Sequence, residues 1–251
     1  MSDQFWYLKR SDLFERLAPD DLARLESRSR IRKLEKHQLI YLPNDQNDAV
    51  LLLAQGRVKL YHLTGEGKQA VLALIDPGEF FGELALFDTG RREEFAETME
   101  NSTVILIPRG EIEALMERHP TFSVSVTKLI GLRRRTVERR LKSLLFRSNR
   151  ERLLHLLLEL AEKYGCRTNT GILLRIKLSH QEMSGLIGST RETVTLLLGE
   201  LQQERLISVV RRQIYVTDLD RLAASVSMRP PILPICPRIS GELLPQPELG
   251  A

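Results

Sequence analysis

The spacing of apolar residues changes along the chain. Between residues 11 and 30, Leu13, Phe14, Leu17, Leu22 and Leu25 recur at helical intervals around Pro19, with arginines and acids between them. From Leu39 to Ile107 the runs are short and punctuated by glycine. Val50-Leu-Leu-Leu-Ala reaches Gln55-Gly56; Val58, Leu60 and His62 alternate with Arg57, Lys59 and Tyr61; Gly65-Glu-Gly67 and Asp76-Pro-Gly78 mark turns; Thr103 to Ile107 is the last run. Short strands at this spacing predict an antiparallel barrel or jelly roll. A helical stretch begins near Ile112, is interrupted at Pro120 and resumes from Thr121 to Arg147. Along it Ile130, Val137 and Leu144 are seven apart, with Leu141 on a flanking row. That seam suits pairing with a second copy, or equally packing against the barrel. A further helix from Arg150 to Tyr164 carries Leu153, Leu154, Leu157, Leu158 and Ala161 on one face.

The most specific pattern lies between Leu178 and Leu201. Ser179 with Glu182 reads as a capping box opening one helix, Met183, Leu186 and Ile187 as its buried stripe, and Gly188 as its end. Ser189 with Glu192 reads as a second capping box, followed by Val194, Leu197, Leu198 and Leu201 as the next stripe. Two short helices around a glycine turn predict a helix-turn-helix. Leu206 to Val216 then reads as two strands joined at Arg211-Arg212-Gln213, a wing with a basic tip. In this arrangement the second helix enters the DNA major groove by its first residues. Arg191, Glu192 and Thr195 project there, with Arg suited to guanine and Glu to cytosine N4. Ser179, His180, Gln181, Thr190 and Thr193 lie at helix starts, where they are expected to hold phosphates along with Arg211 and Arg212.

Composition enters here because charge is unevenly spread. The total is +4, from 37 Lys and Arg against 33 Asp and Glu. Residues 76–100 carry eight acids and two bases, whereas residues 128–155 carry ten bases and two acids. Such asymmetry points to an anionic partner better than the total does. No run of apolar residues is long enough for a membrane helix, and the N-terminus lacks the pattern of a secretory signal. The two cysteines, Cys166 and Cys236, are too few for a disulfide framework or an iron–sulfur cluster and read as reduced thiols of a cytoplasmic protein. No Gly-rich phosphate loop, Gly-x-Ser-x-Gly or His-Glu-x-x-His occurs, so an enzyme is not expected, nor is a metal site. His37 and His62 stand alone, and lone histidines are more often structural than haem ligands.

Over residues 10 to 222 the sequence resembles the CRP/FNR superfamily of bacterial transcription regulators. The resemblance rests on Ser189-Thr-Arg-Glu-Thr-Val194, the Gly56 and Gly78 turns and Phe81-Gly-Glu-Leu-Ala-Leu-Phe87. Leu178-Ser-His-Gln and Gly188-Ser-Thr-Arg are most similar to the cyanobacterial global nitrogen regulator branch. It implies an α+β chain in four parts. Residues 1–120 form a cyclic-nucleotide-binding-like β jelly roll, 121–148 a dimerisation helix and hinge, 149–222 a winged helix-turn-helix, and 223–251 a proline-rich disordered tail. It also implies a homodimer on a pseudo-palindromic promoter site, with RNA polymerase as a further partner. The catabolite activator branch has a second base-contacting Arg where Leu196 stands, so the half-site is expected to differ.

The effector is the open point of the resemblance. Cyclic-nucleotide-binding relatives follow Gly-Glu-Leu with Arg-Ser-Ala; here Gly82, Glu83 and Leu84 are followed by Arg92, Glu93 and Glu94. Two carboxylates beside a phosphate oppose it, and Val137-Glu138 replace the adenine-reading Thr-Ser pair, so cyclic AMP is disfavoured. The nitrogen-regulator branch binds 2-oxoglutarate through positions that fall on Arg92, Arg133 and Glu138. The competing reading makes the Arg-rich 133–140 segment a solvated face paired with the acidic one. A second class of function, a ligand-sensing adaptor acting through protein partners, is weighed against by Arg191 and the basic wing.

Overall fold

The structure, a computed structural model, describes residue 14 and residues 17–87, 90–169 and 171–234. The chain divides into two compact units, Met1–Lys142 and Ser143–Ala251. Asp12 and Leu13 of the expected first helix lie outside the described residues, and α1 spans Pro19–Arg28.

The first unit is built on two four-stranded antiparallel sheets of order β1-β8-β3-β6 and β2-β7-β4-β5. The strands are β1 (Arg30–Leu34), β2 (Leu39–Tyr41), β3 (Ala49–Gln55), β4 (Val58–Leu63), β5 (Gln69–Ile75), β6 (Phe80–Phe81), β7 (Phe95–Thr98) and β8 (Ser102–Pro108). This is the expected jelly roll. The continuous apolar run of β3 has a direct cause: both its faces are covered. Leu51 and Leu53 join Val58, Leu60, Ile75, Phe81 and Val104 between the sheets. Val50 and Leu52 face the other way, into a cluster with Leu22, Leu25, Phe80, Ile105, Ile107 and Ile112. β1, Arg-Ile-Arg-Lys-Leu, was not anticipated because its charged residues hide the alternation. It is a sheet edge, where charges deter pairing with other chains.

Two helices follow, α2 (Arg109–Arg118) and α3 (Pro120–Phe146). Pro120 opens α3 because the first helical position needs no N–H donor. Phe122 and Val126 are buried in the helix-side cluster, with Ile130 partly buried against it. Of the expected seam, Ile130 is therefore occupied by the protein's own core. Val137 and Leu141 stand 59% and 55% exposed.

The second unit begins with α4 (Asn149–Tyr164), opened by a capping box between Ser148 and Glu151. A hairpin of β9 (Gly165–Thr168) and β10 (Gly171–Leu174) leads to α5 (His180–Ile187) and α6 (Arg191–Gln203). The wing, β11 (Ile207–Val210) and β12 (Gln213–Val216), joins that hairpin in a sheet of order β11-β12-β10-β9, and α7 (Leu219–Ala224) closes the unit.

Two expectations are corrected here. Cys166 is disulfide-bonded rather than a reduced thiol. The only other cysteine in the sequence, Cys236, lies outside the described residues. The segment expected to be disordered from 223 is ordered to Pro234: α7 runs to Ala224, Leu233 is buried, and the Arg167 N–H donates to the Pro234 carbonyl (3.1 Å). Pro230-Pro-Ile-Leu-Pro234, which composition alone reads as disorder, here reaches the edge strand β9 through that bond.

Candidate nucleic-acid interface and ligand pocket

The helix-turn-helix begins as expected. Ser179 caps α5 by accepting from the Glu182 N–H, and the Glu182 carboxylate accepts from the Ser179 N–H (2.7 Å). Gly188 ends α5 at φ 62°, the left-handed conformation glycine adopts without penalty. A side chain there would also meet Leu144, since a Cβ on Gly188 would lie 2.6 Å from Leu144 Cδ2. The second cap differs by one residue from the expected one. Thr190, not Ser189, caps α6, its hydroxyl oxygen accepting from the Thr193 N–H (3.2 Å). Ser189 instead donates its backbone N–H to the Ser184 carbonyl, which draws it into the turn.

Two arginines that sequence reasoning left in a general basic stretch hold this motif. Arg152 donates to the Ile187 and Gly188 carbonyls (2.7 and 3.2 Å), and Arg150 makes a two-pronged contact with Glu204 just past the end of α6 (2.7 and 2.8 Å). A repeated 148–152 pattern of cap and arginine was the available signal.

The residues expected to read bases lie on one exposed stripe: Arg191, Glu192 and Thr195. The Arg191 side chain makes no hydrogen bond among the described residues. Glu192 is held below the usual carboxylate range, first by its own backbone N–H and then by the Thr190 hydroxyl. The Thr195 hydroxyl donates to the Arg191 carbonyl (2.9 Å) and lies 2.7 Å from His180 Nδ1, so it is engaged within the domain. Gln181 is exposed beside His180. At the wing tip, Val210 pairs with Gln213, leaving a two-residue turn of Arg211 and Arg212 at φ 50° and 63°. Such turns favour Asn-Gly. Two arginines there put charge where backbone comfort asks for something else, and neither makes a hydrogen bond among the described residues.

The second constellation lies in the first unit. Gly82, at φ 70°, precedes a 3-10 turn, Glu83–Leu86. A side chain at Gly82 would collide with the Arg92 guanidinium and with Leu51. Arg92 is 7% exposed, donates to the Ala49 carbonyl (2.6 Å) and lies 4.1 Å from the centre of the Tyr41 ring. Tyr41 donates its hydroxyl to Glu94 (2.8 Å). Burial pushes the Tyr41 phenol well above its ordinary range; the Glu94 and Glu83 charges add to the shift, and Arg92 opposes it. Arg133 of α3 donates to the Glu83 carboxylate and to the Phe80 carbonyl. Gly82, Glu83, Arg92 and Arg133 therefore gather near Tyr41, a residue without a sequence signal. Glu138 does not join them: it is exposed and paired with Arg134 one turn earlier (2.8 Å). Leu84 is also exposed.

Comparison with known proteins matches both parts. The cyclic nucleotide-binding domain family covers residues 31–119, and the Crp-like helix-turn-helix domain family covers residues 151–225. A cyclic AMP receptor protein of Thermus thermophilus is 32% identical over 80% of this chain and 89% of its own length. The chain belongs to the CRP/FNR superfamily of transcription regulators. A global nitrogen regulator of Nostoc is 30% identical over 74% of this chain and 84% of its own. Among solved structures, a CRP-family regulator of Thermus thermophilus aligns with TM-score 0.68 at 26% identity, over 79% of this chain and 98% of its own. A CooA variant from Carboxydothermus hydrogenoformans aligns with TM-score 0.72 at 23% identity, over 90% and 97%, and shares the fold.

Within a CRP/FNR regulator, the helix-turn-helix belongs to the DNA-binding part, and the jelly roll is the part that matches the cyclic nucleotide-binding domain family. Relatives named for cyclic AMP and for nitrogen control match almost equally well, so overall likeness does not select an effector. Among the described residues, no helix is long and apolar enough to cross a membrane, and no cluster of His, Cys, Asp or Glu is arranged to hold a metal.

Proposed function

We propose that the chain is a homodimeric, sequence-specific regulator that binds a pseudo-palindromic promoter site, acts on RNA polymerase there, and answers to a small anionic effector. The carrying observation is the division among its arginines: Arg150 and Arg152 hold the scaffold, while the exposed side chains of Arg191, Arg211 and Arg212 make no hydrogen bond among the described residues. Arg191 and Glu192 read base edges, with Glu192 turning away from its own helix start to reach cytosine N4. Thr195 lies beside them. Ser179, His180, Gln181, Thr190 and Thr193 set the helix starts against phosphates, and the wing arginines supply charge there. Exposed Val137 and Leu141 on α3 support pairing with a second copy, which would place two reading helices about one DNA turn apart.

For the effector, Arg92 and Arg133 favour a dicarboxylate such as 2-oxoglutarate over cyclic AMP. Both guanidiniums suit carboxylates, and Val137-Glu138 stand where cyclic-AMP-binding relatives carry the adenine-reading Thr-Ser pair. The ligand must displace Glu83 from Arg133, and Glu138 enters the site only if the helices rearrange or a second copy supplies it.

Selection of bound sequences from a random duplex pool tests the DNA reading. Enrichment of a two-fold-symmetric site supports it; failure to enrich any sequence returns the adaptor reading. Thermal shift tests the effector. Stabilisation by 2-oxoglutarate, lost in Arg133→Ala, is expected; stabilisation that survives that substitution rejects the site.

A further inference from the structure

Leu196 lies on the same exposed stripe of α6 as Arg191, Glu192 and Thr195, one turn beyond Glu192. It is 70% exposed, whereas Val194, Leu198 and Leu201 of that helix are fully buried. A single exposed leucine elsewhere on a protein needs no explanation. On this stripe it does, because the stripe is the surface that meets base edges. The polar edges of guanine, cytosine and adenine lose hydration against an alkyl group without gaining a hydrogen bond. The C5 methyl of thymine is the group in the major groove that gains from one.

We infer that Leu196 is a specificity-determining residue that selects a thymine by contact with its C5 methyl. Four residues of helix rise about 6 Å, so this thymine lies about one or two base pairs from the pair read by Glu192. Leu196 reads no hydrogen-bond pattern. Its preference therefore comes entirely from burying an apolar surface that neither uracil nor cytosine supplies. The inference rests on the proposed sequence-specific binding.

The test crosses protein and DNA changes. Each thymine of the selected site is replaced in turn by deoxyuridine, symmetrically in both half-sites, and binding is measured for the full-length protein, Leu196→Ala and Leu196→Met. Leu196 is mostly exposed, so neither substitution disturbs folding. One thymine is expected at which loss of the methyl weakens the unaltered protein and Leu196→Met about fourfold per half-site, the value of one buried methyl group, and leaves Leu196→Ala unchanged. Equal losses in the unaltered protein and Leu196→Ala at every thymine overturn the inference while leaving specific binding intact. A site without thymine in that window also overturns it. Failure to enrich any site removes the underlying reading as well.

Discussion

Arg92 and Arg191 carry the same charge in opposite settings. Arg92 is buried against Tyr41 and bonded to the Ala49 carbonyl, with Gly82 making room for it. Arg191 stands exposed at the start of α6, its guanidinium without a hydrogen bond among the described residues. The same contrast separates Arg133, tied to Glu83, from Arg211 and Arg212 on the wing. On the proposed reading, a ligand of the engaged arginines must compete with their internal partners, which would give selectivity and a threshold. Unengaged ones make a surface that attracts phosphates at long range and whose strength falls with salt.

The sharpest way to break this comparison is to remove an engaged arginine from the exposed region. Arg152→Met leaves the Ile187 and Gly188 carbonyls without their donor. A stability loss of about 1–3 kcal/mol is expected in urea unfolding, with a drop of roughly a hundredfold in affinity for the selected duplex from the misplaced turn. Unchanged binding would show that the turn holds itself. Next comes the wing. Replacing Arg211-Arg212 by Asn-Gly relieves two left-handed arginines and should stabilise the protein by about 1 kcal/mol. Affinity for every duplex should fall about tenfold, and the slope of log affinity against log salt should shrink by about 3.6, two arginines being lost from each subunit of the dimer. A slope that does not move places the wing off the phosphates.

In the pocket, Glu83→Gln frees Arg133 from its internal partner. Binding of 2-oxoglutarate should tighten roughly fivefold, about 1 kcal/mol of pairing given up, as read by isothermal titration; weaker binding would make Glu83 part of the ligand's own contact set. The smallest effect concerns His155 on α4. Burial first, then nearby Arg147, holds it below its ordinary value of 6.5. The folded state therefore prefers neutral His155. That stability is fully present above pH 6.5 and is lost as pH falls through the folded value. An NMR titration should show His155 below 6.5, rising toward it in Arg147→Gln; a midpoint at or above 6.5 contradicts the burial.

The two regions also differ in how far they could be read beforehand. Caps, the Gly188 turn and the apolar stripes of α5 and α6 are local, set by residues three or four apart, so they were legible. The error at Ser189 was a shift of one residue between neighbouring hydroxyls. The cluster around Arg92 draws on β2, the turn after β6, the segment before β7, and α3, and nothing local marks Tyr41 as part of it. Arg92 and Arg133 were reachable by resemblance, but the pairing of Arg133 with Glu83 depends on how α3 lies on the barrel. β1 and the β9–β10 hairpin were missed for related reasons: charged edge residues mask one, and strands of four residues carry too little pattern for the other. Cys166 shows the limit of counting, since the number of cysteines does not tell whether one of them is oxidised.

The central claim is that the unengaged Arg191 of α6 reads sequence while Arg211 and Arg212 on the wing supply affinity. Equilibrium binding of Arg191→Ala to the selected duplex and to a scrambled one, across a range of salt, tests it most directly. Specific binding should fall about 5- to 150-fold per half-site, the loss of one bidentate base contact in each, while weak low-salt binding to the scrambled duplex persists. Equal loss on both duplexes would make Arg191 a phosphate contact and contradict the account.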